Sequence, residues 1–285
     1  MIGIKRVRGG RRLAIGVATV VTAGLAAGAL SVTASANGAT EAVHNSARVK
    51  PTIVLEHGAF ADASSWNGVI TKLRADGYPV VAAANPLRGP ASDAAALRSV
   101  LDHILGPKIL VGHSYGGNVI TEAAVNDPQV RALVYVAAFL PGPGETALEL
   151  TNKYPGSTLP DALDPVTTTL PDGTTGTDLY IQQEKFRHQF AADVPADQAA
   201  LMAATQRPIA ESALEEKSTA GAAWKTIPSW DIVTTKDLNI PPAVQRFMAK
   251  RANAHTTEVA ASHSVAVSHP ELVARTIETA ARATR

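Results

Sequence analysis

The sequence contains no cysteine among its 285 residues, and only 5% of its residues are aromatic. The absence of cysteine excludes disulfide bonds, thiolate metal sites and a cysteine nucleophile. The formal net charge is +1, so no charge excess favours binding to nucleic acid or to an acidic partner. A composition of 46% hydrophobic and 18% charged residues is typical of one large globular domain that buries its own core.

The N-terminal segment has the pattern of an export signal. A basic stretch that ends in Arg11-Arg12 precedes an apolar run over residues 13–32, and Ala34-Ser35-Ala36 then offers an A-x-A cleavage site. We therefore predict a signal peptide over residues 1–36, a disordered lead-in over 37–50 and a secreted protein without stable membrane association after cleavage. An uncleaved anchor is the alternative, because the apolar run approaches the length of a membrane span.

Strand-like and helix-like runs alternate from residue 51 to the C-terminus, which predicts a mostly parallel sheet flanked by crossover helices. The predicted strands are Thr52–Glu56, Pro79–Ala83, Ile109–Val111, Val130–Phe139, Trp230–Thr235 and Thr256–Ala261. The predicted helices are Trp66–Asp76, Ser92–Leu105, Val119–Ala124, Pro242–Ala252 and Pro270–Ala283.

The alternation stops between residues 145 and 223, where no run predicts a strong strand. Residues 154–177 are rich in proline, glycine, threonine and aspartate and predict an irregular loop. Short helices are predicted over 179–190, 196–206 and 209–217. An insertion at this point in a parallel sheet covers the strand ends, so we predict a small helical lid over about residues 141–225 of an α/β domain that spans 51–285.

Residues 108–118 carry the most specific chemical signal. A short apolar run ends in Gly112-His113-Ser114-Tyr115-Gly116, and a helix-like segment follows. This is the G-x-S-x-G nucleophile elbow, with a strand before it and a helix after it. The two glycines permit a sharp turn, which would expose the Ser114 hydroxyl and direct the Tyr115 N–H toward a bound carbonyl.

A serine nucleophile needs a base, which is usually a histidine held by a carboxylate. In this architecture the acid and then the histidine follow the serine along the chain, each after a strand. His263 follows the last predicted strand and is the candidate base, and His269, just before Pro270, is its rival. Asp237 follows the preceding strand and is the candidate acid, whereas Asp231 lies inside that strand.

The loop after the first strand is predicted to complete an oxyanion hole. It reads His57-Gly58-Ala59-Phe60, and Gly58 permits a close approach of the backbone to the nucleophile. The N–H groups of Ala59 and Tyr115 are the predicted donors. His57 is interpreted as a structural residue that holds this loop, with a catalytic role as the alternative.

An apolar substrate pocket is predicted below the lid. Phe60, Phe139 and Leu140, together with Tyr115, are its candidate lining residues, although each also suits a core position. The remaining histidines are scattered and predict no metal cluster, and no cofactor is predicted; these histidines are His44, His103, His188 and His255.

These residues resemble the α/β-hydrolase superfamily, and most closely its branch of plant methylesterases, hydroxynitrile lyases and bacterial esterases. The resemblance extends from about Pro51 to the C-terminus. Five segments carry it: IVLEHGAFADASSW from Ile53, VGHSYGG from Val111, VYVAAFLP from Val134, TTKDLNIP from Thr234 and SHSVAVSHP from Ser262. It implies the α/β-hydrolase fold and places the family's nucleophile, acid, base and oxyanion donors on Ser114, Asp237, His263, Ala59 and Tyr115.

Two departures from the lyase pattern favour ester hydrolysis. The hydroxynitrile lyases carry a lysine after the catalytic histidine, where this chain has Ser264, and a threonine where it has Gly58. A dehalogenase would carry an aspartate at position 114. The sequence thus predicts a secreted serine hydrolase of small carboxylic esters. The alternatives are a cofactor-free perhydrolase, a hydroxynitrile-lyase-like enzyme using the same triad, and a non-catalytic ligand receptor with this fold.

Overall fold

The computed structural model describes residues 50–170 and 172–285. The predicted signal peptide, 1–36, and all but the last residue of the predicted lead-in, 37–50, lie outside the described residues. Within the described ranges, no helix has the length and apolar character that crossing a membrane requires.

Strands and helices alternate along most of the described chain. The strands are β1 (Thr52–Glu56), β2 (Val80–Ala83), β3 (Lys108–His113), β4 (Val130–Val136), β5 (Leu163–Thr169), β6 (Thr175–Ile181), β7 (Ile209–Ala210), β8 (Ser229–Thr234) and β9 (His255–Val259). The helices are α1 (Asn67–Ala75), α2 (Pro90–Leu101), α3 (Gly116–Ala123), α4 (Ala147–Thr151), α5 (Gln183–Phe190), α6 (Ala196–Thr205), α7 (Glu211–Glu215), α8 (Pro242–Arg251), α9 (Val265–Ser268) and α10 (Pro270–Ala283).

Six strands form a parallel sheet in the order β2-β1-β3-β4-β8-β9. The chain progresses from β1 outward to β2 and then returns to β3 on the other side of β1, so the order reverses between β1 and β3. In open α/β sheets, ligands bind outside the carboxyl ends of the strands at such a reversal. The loops after β1 and β3, which hold the predicted oxyanion donors and nucleophile, therefore begin at the same crevice.

The sheet is buried on both faces, which confirms the predicted α/β architecture. Alternate side chains of β1 point to opposite faces: Ile53 and Leu55 pack with α1 and α10 residues, whereas Val54 packs with α2 and α3 residues. All six residues of β3 are buried, as expected for a central parallel strand.

The helices begin and end close to the predicted limits. Helix α10 spans the predicted range, with proline at its first position and buried residues repeating along one stripe from Val273 to Ala281. Helix α2 begins two residues earlier than predicted, because Pro90 occupies its first turn. Asp93 accepts the N–H groups of Arg88 and Gly89 from inside that turn.

The insertion between β4 and β8 contains a β-hairpin that the sequence reading missed. Strands β5 and β6 pair antiparallel from Leu163 with Ile181 to Thr169 with Thr175, and β7 adds a short third strand. The prediction of an irregular loop over 154–177 was wrong here. Strand β5 is mostly exposed and ends in three threonines, and β6 begins Thr-Gly-Thr-Asp, so neither strand shows the alternation of apolar and polar residues that predicts a strand. The turn holds Gly173 at a φ of +85°, in the left-handed region that glycine adopts without steric cost.

The insertion packs on the loop after β2 and over the strand ends. Ala210 donates its N–H to Leu87 O at 3.0 Å, and Arg88 Nη1 lies 2.7 Å from Asp178 Oδ1. Helix α5 places Phe186 and Phe190 in the core, where both are almost fully buried. These contacts position the insertion as the wall opposite the elbow.

Candidate active site

The turn after β3 holds Ser114 in a strained conformation. Its φ is +54°, which is uncommon for a residue with a side chain. A Cβ on Gly112 would lie 2.6 Å from Gly116 O, and one on Gly116 would lie 2.5 Å from Glu56 O. Both positions therefore exclude any larger residue, as the nucleophile-elbow interpretation requires.

The structure brings together Ser114, His263 and Asp237 from three separate loops. Ser114 Oγ lies 2.8 Å from His263 Nε2, and His263 Nδ1 lies 2.7 Å from Asp237 Oδ2. The histidine and aspartate side chains are almost completely buried. This chain of hydrogen bonds can transfer the Ser114 proton to His263 while the Asp237 carboxylate stabilises the resulting imidazolium.

The Asp237 carboxylate is held by several donors besides His263. Oδ1 accepts the N–H groups of Asn239 and Ile240 at 2.8 and 3.0 Å. Oδ2 accepts Thr234 Oγ1 and Gln245 Nε2, each at 2.9 Å. These donors fix the orientation of the Asp237 carboxylate against the His263 ring.

Gln245 is a functional neighbour that the sequence reading missed. It lies on α8 and is fully buried. It fixes the stretch 234–240 by accepting the Thr234 N–H at 3.0 Å and donating to Asp237 and to Ile240 O at 2.9 Å. An uncharged polar residue among the apolar positions of an amphipathic helix was the available signal.

His113 supports the backbone of the candidate base. Its Nε2 donates to His263 O at 2.9 Å, and the two rings lie 4.8 Å apart. Burial, followed by the neighbouring His263, lowers the pKa of His113 to about 3. The ring therefore stays neutral at physiological pH and acts as a hydrogen-bond donor to the loop.

The two other histidines considered from sequence contact different groups. His57 Nε2 accepts the Asn85 N–H at 3.1 Å, and its Nδ1 lies 2.9 Å from Gly58 O. Burial lowers the pKa of His57, so it connects two loops as a neutral ring. His269 Nδ1 lies 2.9 Å from Ser268 Oγ and 3.7 Å from Asp193 Oδ2 rather than near Ser114.

Asp231 lies within β8, away from the base. Neither of its carboxylate oxygens has a hydrogen-bond partner among the described residues, and complete burial raises its pKa well above the usual range. A carboxyl group in that state cannot stabilise an imidazolium.

The loop after β1 approaches the nucleophile closely. A Cβ on Gly58 would lie 2.6 Å from Ser114 Cβ, so this position does not accommodate the threonine of the lyase pattern without backbone movement. Ala59, Tyr115 and Ser114 line the same cavity. In the described part of the chain, no protein atom accepts the N–H of Ala59 or of Tyr115, which leaves both free for a substrate oxygen.

The side chain of Tyr115 has its own buried partner. Its hydroxyl donates to Asp93 Oδ2 at 2.8 Å, and Asp93 also accepts the N–H groups of Arg88 and Gly89 at 3.0 and 3.2 Å. This contact links the elbow to the start of α2 and restrains the residue whose N–H is the predicted oxyanion donor.

The cavity beside Ser114 encloses about 90 Å³ and has mainly apolar walls. Phe60 and Phe139 lie in its wall, as predicted. The other apolar lining residues come mainly from the insertion and from the loop after β8: Ala147, Leu148, Leu159, Pro160, Leu163, Leu214 and Ile240.

Leu140 does not line this cavity. It is fully buried in the core, where its N–H approaches Met248 Sδ at 3.3 Å and its carbonyl accepts Arg251 Nη2 at 2.7 Å. The backbone after β4 decides whether Phe139 or Leu140 faces the cavity. Ala137 turns that backbone with a φ of +46°, and Phe139 is the residue that lines the cavity. The sequence contained no signal for this turn.

Among the described residues, no group of three or more histidine, aspartate or glutamate side chains could hold a metal ion.

Comparison with known proteins identifies the family of this chain. A profile described as the alpha/beta hydrolase family matches residues 53–276. A pyrethroid hydrolase of Sphingobium wenxiniae is 31% identical over 251 residues, which cover 79% of this chain and 85% of the relative.

Two solved structures share the fold. Polyneuridine aldehyde esterase has a TM-score of 0.70 at 18% identity, covering 81% of this chain and 98% of its own. A methylesterase from Arabidopsis has a TM-score of 0.66 at 21% identity, covering 80% and 98%. The bacterial hydrolase and the plant esterases match the branch to which the sequence was predicted to belong.

Proposed function

This chain belongs to the alpha/beta hydrolase family, and from that membership we propose that it is a secreted serine hydrolase that cleaves carboxylic esters. The observation that carries the proposal is the hydrogen-bonded chain from Ser114 through His263 to Asp237 at the wall of an apolar cavity. The esterase and hydrolase names of its relatives support the same reaction class.

The reaction proceeds through an acyl-enzyme. Ser114 Oγ attacks the acyl carbon while His263 Nε2 takes the hydroxyl proton, and Asp237 stabilises the imidazolium. The N–H groups of Ala59 and Tyr115 bind the oxyanion of the tetrahedral intermediate. As the intermediate collapses, His263 returns the proton to the departing alcohol. A water molecule, deprotonated by His263, then attacks the acyl-enzyme and releases the acid and Ser114.

The residue after the base favours hydrolysis over cyanohydrin cleavage. Ser264 stands there, and its Oγ donates to Phe190 O at 2.9 Å, so its side chain is already engaged with the insertion. No lysine or arginine lines the cavity within the described residues. A departing cyanide ion would therefore find no lysine or arginine to stabilise it, whereas a neutral alcohol leaves after protonation by His263.

Hydrolysis of p-nitrophenyl esters of increasing acyl length tests the proposal. We expect turnover in the original chain and a loss of about 10⁶-fold in kcat in Ser114→Ala, because the nucleophile is removed. Ser99→Ala, at an exposed serine of α2, is the matched control and retains activity. Absence of turnover with every ester, from protein shown by circular dichroism to be folded, would contradict ester hydrolysis.

A further inference from the structure

One buried amide in the cavity wall has an unused hydrogen-bond donor. Asn239 lines the same cavity as Ser114 and His263, and it is only 4% exposed. Its Nδ2 has no hydrogen-bond partner among the described residues. Buried amide donors are almost always paired, because an unpaired donor loses its bond to water without replacement.

Neighbouring groups decide which end of the Asn239 amide is free. Gln189 Nε2 donates to Leu238 O and to Asn239 Oδ1, each at 2.8 Å, and Gln189 Oε1 accepts the Thr158 hydroxyl at 2.8 Å. Exchanging the oxygen and the nitrogen of the Gln189 amide would place Gln189 Oε1 against Leu238 O, and the Thr158 hydroxyl would lose its acceptor. Gln189 therefore presents a donor to Asn239, and Asn239 must meet it with its oxygen. Asn239 Nδ2 is therefore the atom without a hydrogen-bond partner among the described residues.

The backbone of Asn239 is fixed as well. Its N–H donates to Asp237 Oδ1 at 2.8 Å, and the preceding carbonyl, of Leu238, accepts the Thr158 N–H at 3.0 Å. The donor is thus held in place before any ligand arrives, and a ligand that uses it loses little conformational entropy in the protein.

We propose that Asn239 Nδ2 binds a second oxygen of the substrate, so that the preferred esters carry an uncharged acceptor, such as an ether or ketone oxygen, within an otherwise apolar group. This inference rests on the proposed ester hydrolysis. An uncharged acceptor is specified because Asp237 lies beside Asn239, and the described lining contains no lysine or arginine to balance an anion.

Two pairs of matched esters test the proposal with the full chain. On the acyl side, p-nitrophenyl 3-methoxypropanoate is compared with p-nitrophenyl pentanoate. On the alcohol side, 2-methoxyethyl acetate is compared with butyl acetate. In each pair an ether oxygen replaces one methylene, so the ratio of the two kcat/KM values isolates the acceptor.

Asn239→Leu removes the donor and Asn239→Ala removes it without filling the cavity. We expect the ether preference in one pair to fall about fivefold in both variants, the typical effect of losing one uncharged hydrogen bond. Asn67→Leu is the matched control, because Asn67 is exposed on α1 and lies outside the lining of this cavity; this substitution leaves the preference unchanged. Turnover of the plain esters and the thermal midpoint show whether each variant has folded.

The outcomes separate this inference from the proposed function. Unchanged ratios in both pairs, with the plain esters still hydrolysed, would overturn the role of Asn239 and leave ester hydrolysis intact. If the original chain hydrolyses none of the four esters, calorimetric titration with the same compounds replaces the kinetics. Tighter binding of the ether member, lost in Asn239→Leu, would then support the inference while ester hydrolysis fails, and equal binding would overturn both.

Discussion

Gln245 offers a sharp test of how the candidate acid is held. Replacing it by leucine keeps the approximate volume but removes every polar contact of this fully buried side chain. The Thr234 N–H and the Ile240 carbonyl lose their Gln245 partner, and Asp237 loses one of its donors. At about 1–3 kcal/mol for each unsatisfied buried group, the free energy of unfolding should fall by about 3 kcal/mol.

Thermal unfolding and urea denaturation measure this loss directly. A domain of this size loses about 2–4 °C of Tm per kcal/mol, so Gln245→Leu should unfold about 6–12 °C lower. The urea midpoint should fall with little change in the slope m. Gln198→Leu, at an exposed glutamine on α6, is the control and should change stability by less than about 0.5 kcal/mol. A Tm within about 2 °C of the original chain would refute the reasoning.

Three further predictions follow from the geometry and the sequence. Gly58→Ala should lower kcat/KM on p-nitrophenyl esters about 100-fold or more, because its Cβ would lie 2.6 Å from Ser114 Cβ and displace the oxyanion loop; unchanged kinetics would contradict this. Burial, with a contribution from Asp93, raises the pKa of Glu56 to about 8 from 4.5, so its protonated form contributes stability that is lost as pH rises from about 4.5 to 8. Glu56→Gln should therefore flatten the fall in urea midpoint across that range, and parallel profiles of the two chains would refute the assignment. Mass spectrometry of protein from the culture medium should find an N-terminus at Asn37, whereas a chain retained in the cell with residues 1–36 intact would show that the segment is not a cleaved signal.

Local sequence was sufficient wherever the hydrophobic period was clear. Strand β1 and helix α10 have the predicted limits, because alternating or stripe-like apolar positions and a proline at the helix start act within a few residues of one another. The hairpin of β5 and β6 was missed for the converse reason. Strand β5 is mostly exposed and ends in three threonines, and β5 and β6 form through pairing with each other rather than through an alternating apolar face.

The residues of the candidate site also separate into those that the sequence predicted and those that the fold decided. Ser114, Asp237 and His263 were selected from motif and strand order, since each follows a strand and the carboxyl ends of parallel strands meet at one edge. Their proximity is a property of the fold, and their catalytic role stays a proposal. Leu140 was selected by the same logic, but the backbone turn after β4 directs it into the core.

The sequence by itself determined the class of fold, the elbow around Ser114 and the order of the candidate nucleophile, acid and base, because each depends on residue type at short range. Only the tertiary structure decided how these groups are held: Gln245 on the acid, His113 on the base loop and Gln189 on Asn239. The His113 and Gln189 contacts join residues 150 and 50 positions apart, and the Gln245 contact joins helix α8 to the loop that precedes it. Their distances and donor directions follow from the packing of whole elements, which no local pattern encodes.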